Sequence, residues 1–470
     1  MASINSVSDG LPVPARYRAV AVIILGVMMS ALDGSIINLA LPSIARDLNS
    51  SAANAVWVIS AYQLAALALL LPLASLGDRI GYRRVYLGGA AVFALASAVC
   101  FTATSLPLLA FARGAQGMGA AGIMAVNGAL LRLTYPKARF GRGIAINSAI
   151  IAAASVAGPA VAAAILSVAS WQWLFAANIP LGLLVVALGR TALPDNAALP
   201  TNSVPPSLKD VLLNALTFGL VFIGAQSLAY SGVASGLAVT PAVSIGVLCA
   251  GLMFGFFYVR RQTRLSTPLL PIDLLRNPVF ALSMCTSVTS FAAQTLAFIA
   301  LPFLFLDVWG RSPGEAGLLM SAWPLSVLLL APLAGRLIGR YPSGMLGGIG
   351  LAAMAMGLAL LAALPTAPSV ADIVWRMALC GAGFGLFQAP NNHTIFTSAP
   401  VHRSGAAGGM LASARLTGQT LGAVLLVFVF SSVRPQDGTG PVLALTLAAC
   451  FAAAASIFSA LRIRHVSTGD

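Results

Sequence analysis

The chain has 470 residues, 59% of them hydrophobic, with a mean hydropathy of +0.92. Only 8% are charged, against about 25% in soluble domains, which excludes an ordinary water-soluble globule and makes lipid the natural solvent. The formal net charge is +14, from 26 Lys+Arg against 12 Asp+Glu, but nearly all the bases sit in short links between apolar runs, which is membrane topology and not the exposed basic face that nucleic-acid binding needs.

A helix needs about 20 apolar residues to cross a bilayer. Reading between charge clusters and Pro/Gly links predicts fourteen spans: 18–40, 54–76, 84–104, 106–131, 142–166, 171–190, 210–230, 238–259, 278–306, 314–335, 343–363, 369–391, 404–431 and 440–461. Arg16 and Arg18 precede a first run too long for a signal-peptide core, so it reads as a membrane helix. The link at Pro107 is the least obvious break, and the charge pattern requires it. With the N-terminus in the cytoplasm, the inner links hold 20 bases and the outer links 3, Arg46, Arg311 and Arg434. Arg113, Arg376 and Arg415 fall within spans. Such asymmetry places positive charge inside and both chain ends in the cytoplasm.

The charge-poor pair at 210–259 lies between two blocks of six, giving an all-α polytopic bundle in a 6+2+6 order. The expected parts are an N-terminal tail (1–17), a six-helix bundle (18–190), a linker (191–209), two added helices (210–259), a second linker (260–277), a second six-helix bundle (278–461) and a C-terminal tail (462–470). Each block has a glycine–arginine pattern after its second span, Gly77-Asp-Arg-Ile-Gly-Tyr-Arg-Arg84 and Gly335-Arg-Leu-Ile-Gly-Arg340. Internal repeats are a common transporter plan, with the substrate site between the halves. The five cysteines are scattered, read as small core residues, and have no metal-ligand spacing.

Asp33 is the one acid expected deep inside an apolar run, AVAVIILGVMMSALDGSIINLALP. An intramembrane carboxylate is expensive and points to function. Burial disfavours its charged form and a cationic neighbour restores it, so such a group can bind and release a proton. The alternative role is a polar clamp with Asn38 or Arg113. Arg113 lies in LLAFARGAQGMGAAG, where a mid-helix arginine needs a carboxylate, a carbonyl or water. Asp33 is its candidate partner, either as an exchanging or as a fixed bridge.

Asp78, Arg79, Arg83 and Arg84 form the loop expected after the second span, with Gly77 and Gly81 allowing a tight turn. Asp78 is expected to cap a helix or to pair with a facing arginine, latching the cytoplasmic side. Gly158-Pro159 within the fifth span reads as a gate or a packing kink. Tyr62, Asn147, Gln294, Asn391 and Arg415 are candidate substrate contacts, with Trp57, Phe291, Phe298 and Trp323 as aromatic surface. Aromatic faces beside a carboxylate suit lipophilic cations. Asp307 and Glu315 read as external surface charges or a proton entry point. No phosphate loop, metal cluster or Ser/His/Asp arrangement is evident, so the chain is not expected to be an enzyme or to hold a cofactor.

These motifs together resemble the fourteen-span drug:proton antiporters of the major facilitator superfamily, over about 18–461. Leu32-Asp33-Gly-Ser-Ile-Ile-Asn38-Leu-Ala-Leu-Pro42 is similar to the first-helix motif of that type, and Trp57 through Arg84 to its second helix and motif A. Arg113-Gly-Ala-Gln-Gly117 is similar to the fourth-helix motif tied to proton transfer, and Ala157-Gly158-Pro159 to the antiporter motif. Gln388-Ala-Pro-Asn391 through Gly422 resembles the second-half pattern. Ala74 and Ala162-Ala163 stand where the family has glycines. The resemblance implies a multidrug exporter with the proton as coupling ion and amphipathic, cationic cargo recognised through Asp33. The closed 6+2+6 plan, which needs no partner, predicts a monomer, and the alanine- and glycine-rich composition with short loops points to the bacterial inner membrane. A dedicated exporter of one metabolite or lipid is the second expectation, and a membrane sensor without turnover the third.

Overall fold

The computed structural model describes residues 10–136, 139–195, 207–230, 240–265, 268–365, 367–399, 404–433 and 438–466. It is all-helical, with no strand among these residues beyond one isolated bridge between Ile338 and Tyr341. Lys137, His402, Arg403 and Arg434 lie outside the described residues.

Sixteen α-helices follow in chain order. The first half holds α1 (Val13–Asp47), α2 (Ala52–Ala55), α3 (Trp57–Ile80), α4 (Tyr82–Phe101), α5 (Leu106–Thr134), α6 (Phe140–Val168), α7 (Trp173–Ala176) and α8 (Asn178–Ala192). Then come α9 (Leu208–Tyr230) and α10 (Pro241–Gln262). The second half holds α11 (Pro278–Phe303), continued by a π-helical turn at Leu304–Val308, then α12 (Pro313–Leu337), α13 (Ser343–Ala362), α14 (Val370–Thr397), α15 (Ser404–Ser432) and α16 (Thr439–Val466). Twelve stretches of described helix are long and apolar enough to cross a membrane. Helices α5 and α6 have 29 residues each.

Helix starts follow local chemistry. Ser51, Ser312 and Ser369 each accept a hydrogen bond from a first-turn backbone N–H, and Asn277 accepts two. At α12 the cap is reciprocal, because Glu315 accepts from the Ser312 N–H at 3.0 Å. Large side chains such as Leu95, Phe111, Leu318 and Leu329 point outward, which suits a surface facing lipid. Cys100 and Cys380 are buried, whereas Cys249, Cys285 and Cys450 are exposed and not core residues.

Several boundaries differ from expectation. The second and sixth spans are each broken near one end, at Val56 and Ala177. Helix α3 runs through Ile80, so Gly77, Asp78 and Arg79 are its last turn and not a loop. Gly81, with φ of 105°, is the one residue between α3 and α4. Gly339 has φ of 84° at the matching place in the second half. That backbone region is open to glycine at little cost, which explains why both glycine–arginine patterns carry a second glycine. The C-terminal tail begins later than expected, since α16 continues to Val466 and buries Arg462.

In the first half α5 packs on α3 and α4, and α1 on α6. In the second, α13 packs on α14 and α16, and α11 on α15 and α16. The halves meet through α6 with α12, α3 with α15, and α1 with α11. At the end of the bundle holding the α1 C-terminus, one apolar cluster runs across both halves, joining Leu39, Ile44 and Ala163 to Leu301, Met320 and Trp323. At the other end the halves pack separately, around Val22, Tyr86 and Leu130 in one and Leu274, Phe280 and Ile395 in the other. The shared core therefore joins the halves across the end holding the α1 C-terminus, the sealed end. An ion pair between Arg46 and Asp307 at 3.2 Å crosses the sealed end, and its arginine is too exposed for it to add much stability.

The added helices pack on this frame for a traceable reason. Pro72 lies inside α3 and lacks the N–H that would satisfy the carbonyl of Ala68. Asn214 of α9 supplies the donor, Nδ2 to Ala68 O at 2.7 Å, with its side chain fully buried. Around it Phe222 of α9 joins Leu67, Leu70, Leu416 and Val424 along the α3–α15 seam. Asp210 is a second buried acid, at the start of α9, held by Arg261 at 2.7 Å and Gln262 at 2.8 Å. Asn214→Ala is expected to lower stability by about 1 kcal/mol, read as a lower thermal midpoint in detergent. In a Pro72→Ala background the α3 helix satisfies Ala68 itself, and the same substitution is expected to cost much less. An equal loss in both backgrounds would refute this account.

Candidate functional site

Asp33 of α1 is 4% exposed and receives three donors. Arg113 Nη1 donates to Oδ2 at 2.5 Å. Gln116 Nε2 and Asn178 Nδ2 donate to Oδ1 at 2.9 and 2.8 Å. Three helices, α1, α5 and α8, thus meet at one carboxylate in the half of the bundle nearer the sealed end. Asn38, the other partner considered from sequence, is not in this set.

Arg113 is itself buried and has further partners. Its Nε donates to the Val58 carbonyl at 3.0 Å and its Nη1 to Gln116 Oε1 at 2.5 Å. The guanidinium lies 4.4 Å from the Tyr62 ring centroid and 5.7 Å from that of Phe175. Gly117 makes this approach possible, because a Cβ there would overlap the Tyr62 carbonyl. It stands one turn after Arg113 on α5, as Tyr62 stands one turn after Val58 on α3. If Asp33 is neutralised, Arg113 keeps a carbonyl, an amide oxygen and an aromatic face, so the buried cation is not orphaned. Gln116 Nε2 also donates to Ser97 Oγ at 2.9 Å, tying the network to α4.

Gly158 of α6 lies where a Cβ would overlap Ser35, two residues from Asp33. The neighbouring Pro159 carbonyl and Ala163 face Gly317 of α12 just as closely. This segment therefore connects the helix bearing Asp33 to the opposite half at the sealed end.

The motif near Gly81 is differently engaged than the sequence predicts. Asp78 neither caps a helix N-terminus nor pairs with a facing arginine; it accepts from the Tyr82 hydroxyl at 2.6 Å. Arg83 pairs with Asp195 at 2.6 Å. Gly77 packs where a Cβ would meet Val126 and Tyr82. Asp78, Arg79 and Arg84 are exposed.

The other candidates divide. Asn391 does not sit at a span end or at the interface of the halves. It is 1% exposed within α14, accepts from Arg462 Nη1 at 2.7 Å and donates to Ser287 Oγ at 2.8 Å. Arg462 also donates to Ser283 Oγ at 3.0 Å and to Ser459, so Asn391 is part of a clamp joining α11, α14 and α16. Asn147 is buried with its Oδ1 unpartnered. Gln294 is half-buried on α11. Arg415 of α15 is half-buried, with its guanidinium 5.2 Å from the Phe291 ring centroid. Glu315 is a capping residue. Sequence reasoning missed Gln116 and Asn178 as ligands of Asp33. Gln116 stood within the quoted motif at the i+3 spacing that shares a face with Arg113.

A buried carboxylate–guanidinium pair at the junction of helices, inside a two-halved membrane bundle whose halves share a core at one end, is an arrangement that suits a membrane transporter. The Major Facilitator Superfamily model matches residues 23–423. The chain belongs to the major facilitator superfamily. It is 49% identical over 459 residues to the uncharacterized transporter YebQ of Escherichia coli (strain K12), covering 97% of each chain. It is 27% identical to the riboflavin transporter RibZ of Clostridioides difficile (strain 630), covering 88% of each. It is 30% identical to the multidrug efflux pump LfrA of Mycolicibacterium smegmatis (strain ATCC 700084 / mc(2)155), covering 90% of this chain and 84% of the relative.

Proposed function

We propose that this transporter is a proton-coupled antiporter that exports amphipathic small molecules through the bacterial inner membrane by alternating access. In this reading the fourteen helical spans cross the bilayer as 6+2+6, both chain ends are cytoplasmic, and the protein works as a monomer. The asymmetric placement of bases supports the orientation. The end holding the α1 C-terminus then faces outside, and the bundle is open toward the cytoplasm. Among the described residues Asp78 makes no ion pair and accepts from Tyr82, and in this reading the cytoplasmic latch forms when the bundle opens outward.

The observation carrying the proposal is the Asp33–Arg113 pair. Cargo enters from the cytoplasm with Asp33 ionised and held by Arg113. The halves rock, the contact of Pro159 and Ala163 with Gly317 parts, and cargo leaves. An external proton then neutralises Asp33, Arg113 relaxes onto Val58, Gln116 and Tyr62, and the protonated carrier returns. The proton gradient supplies the free energy, and no other cofactor is invoked. The test is cargo-triggered proton movement in proteoliposomes of the wild type and Asp33→Asn.

A second reading, a dedicated exporter of one metabolite, is favoured by the likeness to RibZ. A narrow cargo profile in the same vesicles would select it; a broad one would reject it.

A further inference from the structure

The groups expected to recognise a cationic cargo are already covered by the protein's own cations. Both oxygens of Asp33 are bonded, by Arg113, Gln116 and Asn178. The Tyr62 ring carries Arg113 at 4.4 Å, and the Phe291 ring carries Arg415 at 5.2 Å. No other acid lies mid-helix among the described residues; Asp47, Asp78, Asp210, Asp307, Glu315 and Asp372 are at helix ends.

Arg415 is the opposite case. It makes no hydrogen bond or ion pair among the described residues, only the contact with Phe291. It points inward, since its guanidinium lies against Phe291, which is 4% exposed. An unpaired intramembrane cation is a functional site by default, and its fork suits planar oxygen acceptors. Gln294 is three residues from Phe291, on the same face of α11. Phe298 is four further on and meets Trp323 edge-on at 5.1 Å. The Trp323 Nε1–H is buried and has no acceptor. This face presents Arg415 as an unmet donor beside aromatic side chains, and the Trp323 donor lies behind it, fully buried in the core shared by the halves. The buried amide oxygens of Gln63, Asn127 and Asn147 also lack a donor; an amide that turns over presents its NH2 instead, so they set no charge preference.

The sign of the charge follows from coupling. Protonating Asp33 leaves Arg113 and Arg415 both uncompensated, which favours an anion. By reciprocity an anion would then favour the proton, and the two would travel together, not in exchange. Resting on the antiport reading, we infer that the cargo is an uncharged, planar aromatic molecule rich in carbonyl-type acceptors, and that Arg415 selects it while repelling cations.

The test is equilibrium binding to the purified full chain in detergent, without a proton gradient, using naphthalimide, naphthoate and naphthyltrimethylammonium. Naphthalimide is expected to bind tightest, at least about 10-fold above the ammonium compound. Losing a hydrogen bond to a charged donor weakens binding about 10- to 100-fold. Arg415→Gln is expected to weaken naphthalimide by that factor and to strengthen the ammonium compound, an opposite shift that misfolding does not produce. Arg415→Lys, checked for monodispersity, keeps the repulsion but loses the fork. Equal or tighter binding of the ammonium compound overturns the inference, as does tighter binding of naphthoate, or binding of none of the three. Proton movement triggered by the ammonium compound would leave antiport standing and sink only the cargo assignment.

Discussion

Asp33→Asn is expected to reduce cargo-triggered proton movement in proteoliposomes to the level of protein-free vesicles. Asparagine keeps the shape of the side chain but has no carboxylate to titrate. It also mismatches its surroundings. Asp33 accepts from three donors, whereas asparagine presents one oxygen and one amino group. At least one of Gln116, Asn178 and Arg113 then faces a donor. A buried donor left unmet costs about 1–3 kcal/mol, so the variant is expected to be folded with a lower thermal midpoint. Arg113→Ala is the harsher change. It strands a buried carboxylate, at about 3–5 kcal/mol for breaking such a pair, unless Asp33 takes up a proton. Proton movement that survives Asp33→Asn in correctly inserted protein would remove Asp33 from the cycle. Asp210 and Asp307, two acids that pair with an arginine of another helix, would then be next.

The pairing of Asp33 with Arg113 was legible in the sequence because both are ionised groups in apolar runs, where each needs the other. Their neutral ligands were not. Glutamine, asparagine and serine occur on many membrane helices, and only packing decides which face turns inward. Asn178 stands just after the break of the sixth span at Ala177, where Pro180 lacks the N–H that would bond the Ala176 carbonyl; the proline marks the break but not which partner Asn178 meets. Asn391 failed for a related reason. Its partner Arg462 follows the last apolar run and reads as an ordinary cytoplasmic anchor, yet α16 continues for another turn and turns it onto α11 and α14. The glycine–arginine repeat was visible as a pattern. That Gly81 and Gly339 share a positive φ needed the backbone, and it is this geometry that makes the two loops equivalent. Arg415 was visible as an intramembrane charge, but its lack of a partner is a property of the assembled bundle.

The charge carried by the cargo also fixes how the transporter responds to voltage, and this gives the second large expected effect. With one proton entering per cargo molecule leaving, an uncharged cargo moves one elementary charge inward per cycle. A monovalent cation would move none and a monovalent anion two. Each charge is worth about 2.3 kcal/mol per 100 mV. An uncharged cargo is therefore expected to be concentrated about 50-fold at 100 mV with no pH difference. A cation would show no response, and an anion would be driven by about 4.6 kcal/mol in the same field. Naphthalimide distribution across proteoliposomes, at equal pH and with a potassium-set potential, reads this directly, while a pH dye counts protons per cargo. A slope of one charge supports the role assigned to Arg415. A slope of zero would mean that naphthalimide, which has no cationic form near neutral pH, crosses without a proton in exchange, and would refute the one-for-one exchange. A slope of two would reinstate an anion and require that the Asp33 proton and the cargo oppose each other through the rocking of the halves, against the local electrostatics of Arg113 and Arg415.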